Sequence, residues 1–155
     1  MNVKSCIKQS FCVIGKQGST LDGDGFIEKL WKEANRHFPE VAALAKVDEN
    51  GNPVGFWGAM SDLSKSFQPW ADGFTKGLYL AGVEAEDDAV PPEGWTKWVI
   101  PAYEYLYVKA EGKDAFSAML GYLAENGQEL AGAVHDFMEP KENGQGYLYF
   151  PIRKL

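Results

Sequence analysis

The chain has 155 residues and a formal net charge of −7, with 45% hydrophobic and 24% charged residues. This length and composition are typical of one globular domain, and they exclude a disordered chain, a fibre and a disulfide-stapled miniprotein. An acidic chain without a basic run is a poor nucleic-acid binder, because phosphate neutralisation needs clustered cations. The unusual feature is aromatic content, with 5 Trp, 7 Tyr and 9 Phe.

The first half of the chain reads as a strand, a helix and two further strands. Residues 10–17 are rich in β-forming residues and predict a strand. Apolar residues recur at helical spacing from Phe26 to Phe38, which predicts an amphipathic helix. Short strands are predicted at 54–60 and 77–84. The segment 61–74 between them has no clean period and predicts a long loop, a feature that is often functional in compact domains.

The second half repeats this order of elements. Residues 85–94 are acidic and contain Pro91 and Pro92, which predicts a linker between the halves. A strand is predicted at 103–110, a helix from Asp114 to Asn126, and strands at 133–138 and 147–152. We therefore expect one α+β domain over 1–155, built from duplicated βαββ halves, about 1–86 and 95–155, that share one core with a central ligand cleft.

The sequence carries no signal for a membrane span, a metal or a cofactor. No stretch of about 18 apolar residues exists, and the N-terminus lacks the apolar region of a signal peptide. Cys6 and Cys12 are the only cysteines. We place both in one strand, where extended chain separates them by roughly 20 Å, too far for a disulfide. Reduced thiols fit a cytoplasmic protein, and no Cys/His spacing or Gly-rich motif indicates a metal or nucleotide site.

Aromatic residues concentrate in the middle third of the chain. Of the 21 aromatics, 11 lie between Phe56 and Tyr107. Alternation in the strand from 103 puts its tyrosines on one face and its aliphatic residues on the other, where a helix can cover them. A tyrosine row suits a concave ligand site. The residues that predict such a pocket are Trp57, Trp70, Trp95, Tyr103, Tyr105 and Tyr107; core filling is the alternative.

Ionisable groups near these aromatics are the candidates for binding a charged ligand or for acid–base catalysis. A carboxylate among aromatic rings would attract a cation or act as a general base. Glu84 ends a predicted strand, while His135 and Glu139 share one face of a later strand. For any one glutamate a solvated strand-end charge is the favoured interpretation, because Glu is usually exposed. His135 has no nucleophile or metal partner in the sequence, which favours a structural role.

The chain resembles the GyrI-like family, the effector-binding domains of bacterial transcription activators. The resemblance spans nearly the whole chain and lies in these segments: 26–31 (FIEKLW), 77–84 (GLYLAGVE), 94–95 (GW), 100–105 (IPAYEY) and 149–152 (YFPI). It implies the duplicated βαββ fold with a central cleft for bulky aromatic or cationic small molecules.

The resemblance also implies site residues. Glu139 is the best match for the family's pocket carboxylate, and Tyr105 matches its strand tyrosine. One departure concerns the late strand, where the family's Phe-Glu-x-Tyr pattern becomes residues 137–140 (FMEP), so the glutamate is shifted by one place and the tyrosine is missing. The expected ligand-binding set is Trp57, Trp70, Tyr79, Trp95, Tyr103, Tyr105, Tyr107, His135 and Glu139.

Three functions are compatible with this sequence. The leading prediction is a stand-alone domain that binds bulky aromatic or cationic compounds and thereby senses or sequesters xenobiotics, without contacting nucleic acid or membrane. The second is a hydrolase that adds water to cyclopropane-containing DNA-alkylating compounds, with Glu139 as base and Tyr105 as hydrogen-bond donor. The third is an interaction or inhibitor module that docks its acidic surface on a basic partner.

Overall fold

A computed structural model describes all residues 1–155. Its strands are β1 Lys4–Lys8, β2 Phe11–Ser19, β3 Phe56–Ser61, β4 Leu78–Ala85, β5 Thr96–Ile100, β6 Tyr103–Lys109, β7 His135–Glu139 and β8 Gln145–Lys154. Its α-helices are α1 Phe26–Arg36, the short α2 Ala71–Phe74 and α3 Ala115–Glu125, with 3₁₀ turns at Thr20–Asp22, Phe38–Glu40, Ala42–Leu44 and Pro140–Glu142. None of the helices is both long and apolar enough to cross a membrane.

The eight strands form one antiparallel sheet that contains the predicted duplication. The strand order is β1-β6-β8-β7-β3-β4-β2-β5. The units β2-α1-β3-β4 and β6-α3-β7-β8 meet where β3 pairs with β7, with Trp57 opposite Phe137. The expected α+β fold of two βαββ halves is therefore confirmed.

The two edge strands, β1 and β5, force the sheet to curl. Each precedes one half along the chain but pairs with the other, β1 with β6 and β5 with β2. Only Gln9 and Ser10 connect β1 to β2, a reach of about 10 Å. Six strand spacings, roughly 29 Å, would separate these strands in a flat sheet. The sheet is therefore a half-barrel with a concave and a convex face.

The prediction that Cys6 and Cys12 share one strand is wrong. Cys6 lies in β1, opposite Tyr105, whereas Cys12 lies in β2, opposite Ala85 and Val99. The chain leaves one end of the sheet at Gln9 and enters near the other end at Phe11. Both thiols are free.

Both long helices cover the convex face. Helix α1 packs its Ala34 into a core with Ile14 and Ala81. Helix α3 packs Met119 and Leu123 on the aliphatic side of β6, which confirms that the tyrosines of this strand point the other way. The concave face has a core of its own, formed by Phe11, Val13, Trp57, Ala59, Leu78, Leu80, Trp98, Ile100, Phe137 and Tyr147.

A pair of glycines marks a tight approach between two strands. Gly15 of β2 lies opposite Gly82 of β4, and a Cβ on Gly82 would lie 2.2 Å from the Ile14 carbonyl oxygen.

We expect Gly82→Ala to lower the free energy of unfolding by at least about 2 kcal/mol, because backbone has to move. Gly121→Ala on α3 is the control: its Cβ would meet no atom within 4 Å. Helix propensity predicts a gain of about 0.5–1 kcal/mol there. Urea denaturation measures both; equal stabilities would contradict the packing described.

Candidate functional site

The concave face opens into a cavity of about 350 Å³. Its aromatic wall consists of Trp57, Phe137 and Tyr149, which come from β3, β7 and β8. Its charged lining consists of Lys8, Lys46, Glu84 and Glu139. These residues meet because alternate side chains of every strand point to the concave side, so that residues directly opposite each other across the sheet share that side.

The carboxylate of Glu84 lies at the floor of this cavity. Glu84 is only 4% exposed, so it is not the solvated strand-end charge that its position suggested. Trp57 Nε1 donates a hydrogen bond to Glu84 Oε1 at 3.0 Å. The Lys8 Nζ lies 3.2 Å from the same oxygen and 3.3 Å from Oε2. The buried charge is therefore paired and hydrogen-bonded, as burial requires.

The aromatic wall is continuous across the second half of the sheet. The ring centroids of Trp57 and Phe137 are 4.5 Å apart, and those of Trp57 and Tyr149 are 5.2 Å apart. Tyr149 in turn stacks on Tyr107, at 4.8 Å with an interplanar angle of 4°. Packed rings that hold each other in place form a rigid apolar surface for another ring to stack against.

Tyr105 lies behind this wall and carries an unsatisfied hydroxyl. The residue is fully buried, 5.6 Å from Tyr149 between ring centroids, and its Oη is the only buried side-chain nitrogen or oxygen without a hydrogen-bond partner. Burial raises the pKa of Tyr105, so the hydroxyl stays protonated as a donor. Leaving such a group unpaired costs about 1–3 kcal/mol. Tyr105 does not line the cavity, so a ligand atom reaches this hydroxyl only if the side chains in front of it move.

His135 has a structural role between β7 and β3. Its Nδ1 accepts a hydrogen bond from the backbone N–H of Met60 at 3.0 Å. Burial lowers the pKa of His135 to about 3, so the imidazole is neutral at pH 7. Since Nδ1 is the acceptor, the proton resides on Nε2.

Glu139 lies at the rim of the cavity rather than at its floor. It is partly exposed, and its Oε1 accepts a hydrogen bond from the backbone N–H of Lys141 at 3.1 Å. This bond caps the 3₁₀ turn that follows β7. The cleft thus contains two carboxylates in different settings, one buried and ion-paired, the other capping a turn.

The loop 61–74 packs on the concave core at the opposite end of β3 and β4. The Phe67 ring packs on Trp98 with centroids 6.0 Å apart, and the Phe67 carbonyl accepts the N–H of Ala133 at 2.9 Å. Burial acts to raise the pKa of Asp62, but hydrogen bonds from Ser64, Ser66 and the Gln68 N–H outweigh it and hold that pKa well below its usual range. The ionised Asp62 carboxylate and its hydrogen bonds hold the neighbouring Phe67 at a φ of 60°, a backbone conformation that is rare for a residue with a bulky side chain.

Six of the nine expected site residues lie on the concave face: Trp57, Tyr103, Tyr105, Tyr107, His135 and Glu139. The structure does not bring Trp70, Tyr79 and Trp95 to the cleft. Trp70 donates to the Leu78 carbonyl at 2.9 Å, and all three pack in the core beneath α1.

The convex-side aromatics are held by polar partners of their own. The Tyr79 hydroxyl donates to Asp136 Oδ2 at 2.9 Å and accepts from Trp31 Nε1 at 3.0 Å. Trp95 Nε1 donates to Glu40 Oε1 at 2.9 Å. Satisfied polar tips and an adjacent helix give these rings structural roles.

Sequence reasoning missed four of the charged and aromatic residues of the cleft: Lys8, Lys46, Phe137 and Tyr149. Phe137 could have been found, because it alternates in register with His135 and Glu139 of β7, which were already assigned to the cleft. Tyr149 lies opposite His135 across the sheet, a pairing that the sequence does not give. Lys8 could not be found, since the sequence did not separate β1 from β2.

Solved structures share this architecture over the whole chain. SAV2435 bound to tetraphenylphosphonium matches with a TM-score of 0.67 and 12% identity, over 99% of this chain and 94% of that one. A putative bacterial transcription regulation protein from Staphylococcus aureus MU50 matches with a TM-score of 0.65 and 11% identity, over 99% of both chains. The EcmrR C-terminal domain matches with a TM-score of 0.64 and 14% identity, over the full length of both. At these identities the likeness establishes the fold.

No protein-family model and no curated protein matches the sequence. No group of three or more His, Cys, Asp or Glu side chains is arranged to hold a metal ion.

Proposed function

We propose that the concave cleft binds a bulky aromatic small molecule, and that the protein thereby senses or sequesters such compounds. The observation that carries this proposal is the cavity itself, which opens to solvent and is walled by Trp57, Phe137 and Tyr149. An apolar aromatic wall with a few polar groups is the arrangement that binds a ring system. The unpartnered Tyr105 hydroxyl is buried behind this wall, and we propose that the side chains in front of it move to let an acceptor atom of the ligand reach it.

The fold neighbours support the proposal. SAV2435 was solved with tetraphenylphosphonium, a compound with four phenyl rings. The cavity here, at about 350 Å³, is within the range of small-molecule sites, and Trp57, Phe137 and Tyr149 supply stacking surfaces.

The state of Glu84 favours binding over hydrolysis at the cavity floor. A general base needs a free oxygen within reach of a water molecule. Both oxygens of Glu84 contact Lys8 and one accepts from Trp57, whereas Glu139, at the rim, uses only Oε1 to cap a turn and is the remaining candidate base. The hydrolase stays a prediction, tested by incubation with a cyclopropane-containing alkylator: a product heavier by one water, formed in turnover and lost in Glu139→Gln, would establish it.

Triphenylphosphine oxide is a suitable probe, because it is uncharged and carries three phenyl rings and one strong acceptor. We expect it to quench the tryptophan fluorescence of the protein at a saturable site. Tyr105→Phe removes the unpaired hydroxyl, so affinity should fall about tenfold, the equivalent of one hydrogen bond. The stability of this variant should equal or exceed that of the wild type, because an unsatisfied group is removed.

Tyr122→Phe on α3 is the matched control, because Tyr122 packs on the opposite side of the sheet. It should leave affinity unchanged. The absence of saturable binding to the wild type would refute the proposed function. Equal affinities for the wild type and Tyr105→Phe would refute the role of the hydroxyl.

A further inference from the structure

We infer that the ammonium group of Lys8 occupies the cation position of the cleft and so makes the site selective for uncharged aromatic ligands. This inference rests on the proposed function. It assigns Lys8 as a specificity-determining residue of that same site.

The surroundings of the Lys8 ammonium are those of a bound organic cation. Its Nζ lies 4.4 Å from the ring centroid of Phe11 and 5.7 Å from that of Trp57. The Glu84 carboxylate lies on its third side, at 3.2 Å. Two aromatic faces and a carboxylate attract a ligand cation by charge and ring quadrupole. Here the protein supplies that cation itself.

Displacing this ammonium is costly because the pair is shielded from water. The side chain of Glu84 is 6% exposed and that of Lys8 is 28% exposed. Removing one partner of a buried ion pair leaves an uncompensated charge. A ligand cation would first have to expel Lys8 into solvent and then replace each of its contacts.

The other charges of the cavity give a cation no compensating attraction. Lys46 and Glu139 complete the charged lining, so two lysines face two glutamates and the formal charge is zero. An uncharged ring system disturbs none of these groups. It needs the aromatic wall and access to the Tyr105 hydroxyl behind it.

The fold fixes Lys8 in this position. Lys8 is the last residue of β1, paired opposite Tyr103 of the second half, whereas Glu84 lies in β4 of the first half. Because the edge strands are exchanged and the sheet curls, Lys8 at one end of the sheet contacts Glu84 near the other end. Because both backbones are held in the sheet, only side-chain freedom is lost when the pair forms.

The test compares tetraphenylphosphonium with triphenylphosphine oxide by fluorescence titration. We expect the wild type to bind the uncharged probe at least tenfold more tightly than the cation. Lys8→Met should raise affinity for the cation at least tenfold and change affinity for the uncharged probe less than about twofold. Lys46→Met is the control, because it removes a cavity lysine whose ammonium does not pair with Glu84. It should raise affinity for the cation less than about threefold.

Two further variants keep the test decisive. Lys8→Gln retains a donor for Glu84 without charge, and it should show the same gain if Lys8→Met does not fold. The double variant with Lys8→Met and Glu84→Gln should lose the gain, because the carboxylate that would pair with the ligand cation in place of Lys8 is gone.

Outcomes for this inference and for the proposed function are separable. If the wild type binds both probes equally and Lys8→Met changes neither, the inference is overturned while the cleft remains a binding site. If the uncharged probe binds neither the wild type nor Lys8→Met, the proposed function fails and takes the inference with it.

Discussion

Replacing Trp57 with Ala should lower the free energy of unfolding by about 3–5 kcal/mol and abolish binding of triphenylphosphine oxide. Trp57 is 1% exposed and lies at the junction of the two halves, opposite Phe137. Truncation removes a large buried ring and leaves a cavity in the concave core. It also removes the N–H that donates to Glu84.

Two companion variants separate these effects. Trp57→Phe keeps an aromatic ring but loses the N–H donor and part of the ring volume, so it should cost about 1–3 kcal/mol and retain weakened binding. Trp70→Phe changes a ring on the convex side and should leave affinity unchanged. Urea denaturation and probe titration measure both quantities. Full affinity in Trp57→Ala would show that the ligand binds elsewhere.

The second large effect is a loss of stability in acid that depends on His135. Burial lowers the pKa of His135 from 6.5 to about 3. Between these two values the unfolded chain binds a proton at this residue and the folded protein does not. This difference in proton binding has no effect above about pH 6.5, and it lowers the free energy of unfolding progressively as the pH drops toward 3. Between pH 6 and pH 4 His135 alone should lower the free energy of unfolding by about 2–3 kcal/mol.

His135→Asn is the variant that isolates this contribution. An Asn side-chain oxygen can accept the Met60 N–H in place of Nδ1, and it does not titrate. Its stability at pH 7 should be lower, because ring packing is lost, but it should lose about 2–3 kcal/mol less than the wild type between pH 6 and pH 4. Parallel slopes for the wild type and His135→Asn would contradict the buried neutral imidazole.

Alternation along β6 was sufficient to predict the tyrosine row, because one face of that strand is aliphatic and the other aromatic. The same reasoning could not place Tyr79. All eight residues of β4 are buried, since α1 covers one face and the concave core the other. A strand buried on both sides has no polar face to show which way a given side chain points. Trp70 and Trp95 lie outside strands, so alternation said nothing about them.

Long-range pairing explains what else the sequence could not show. Lys8 and Glu84 are 76 positions apart, and their contact depends on β1 joining the far half of the sheet. Exposure statistics for single residues favour a solvated Glu84. Only the curl of the sheet, which follows from the exchanged edge strands, reverses that expectation.

The most direct test of the account is to observe which tryptophan the ligand contacts. The five indole N–H groups give resolved ¹H–¹⁵N signals, assignable by single Trp→Phe variants. Addition of triphenylphosphine oxide should shift the Trp57 signal and leave those of Trp31, Trp70 and Trp95 unmoved, because these three lie on the convex side. Shifts in Trp31 or Trp70 with Trp57 unchanged would place the ligand outside the cleft and contradict the proposed function.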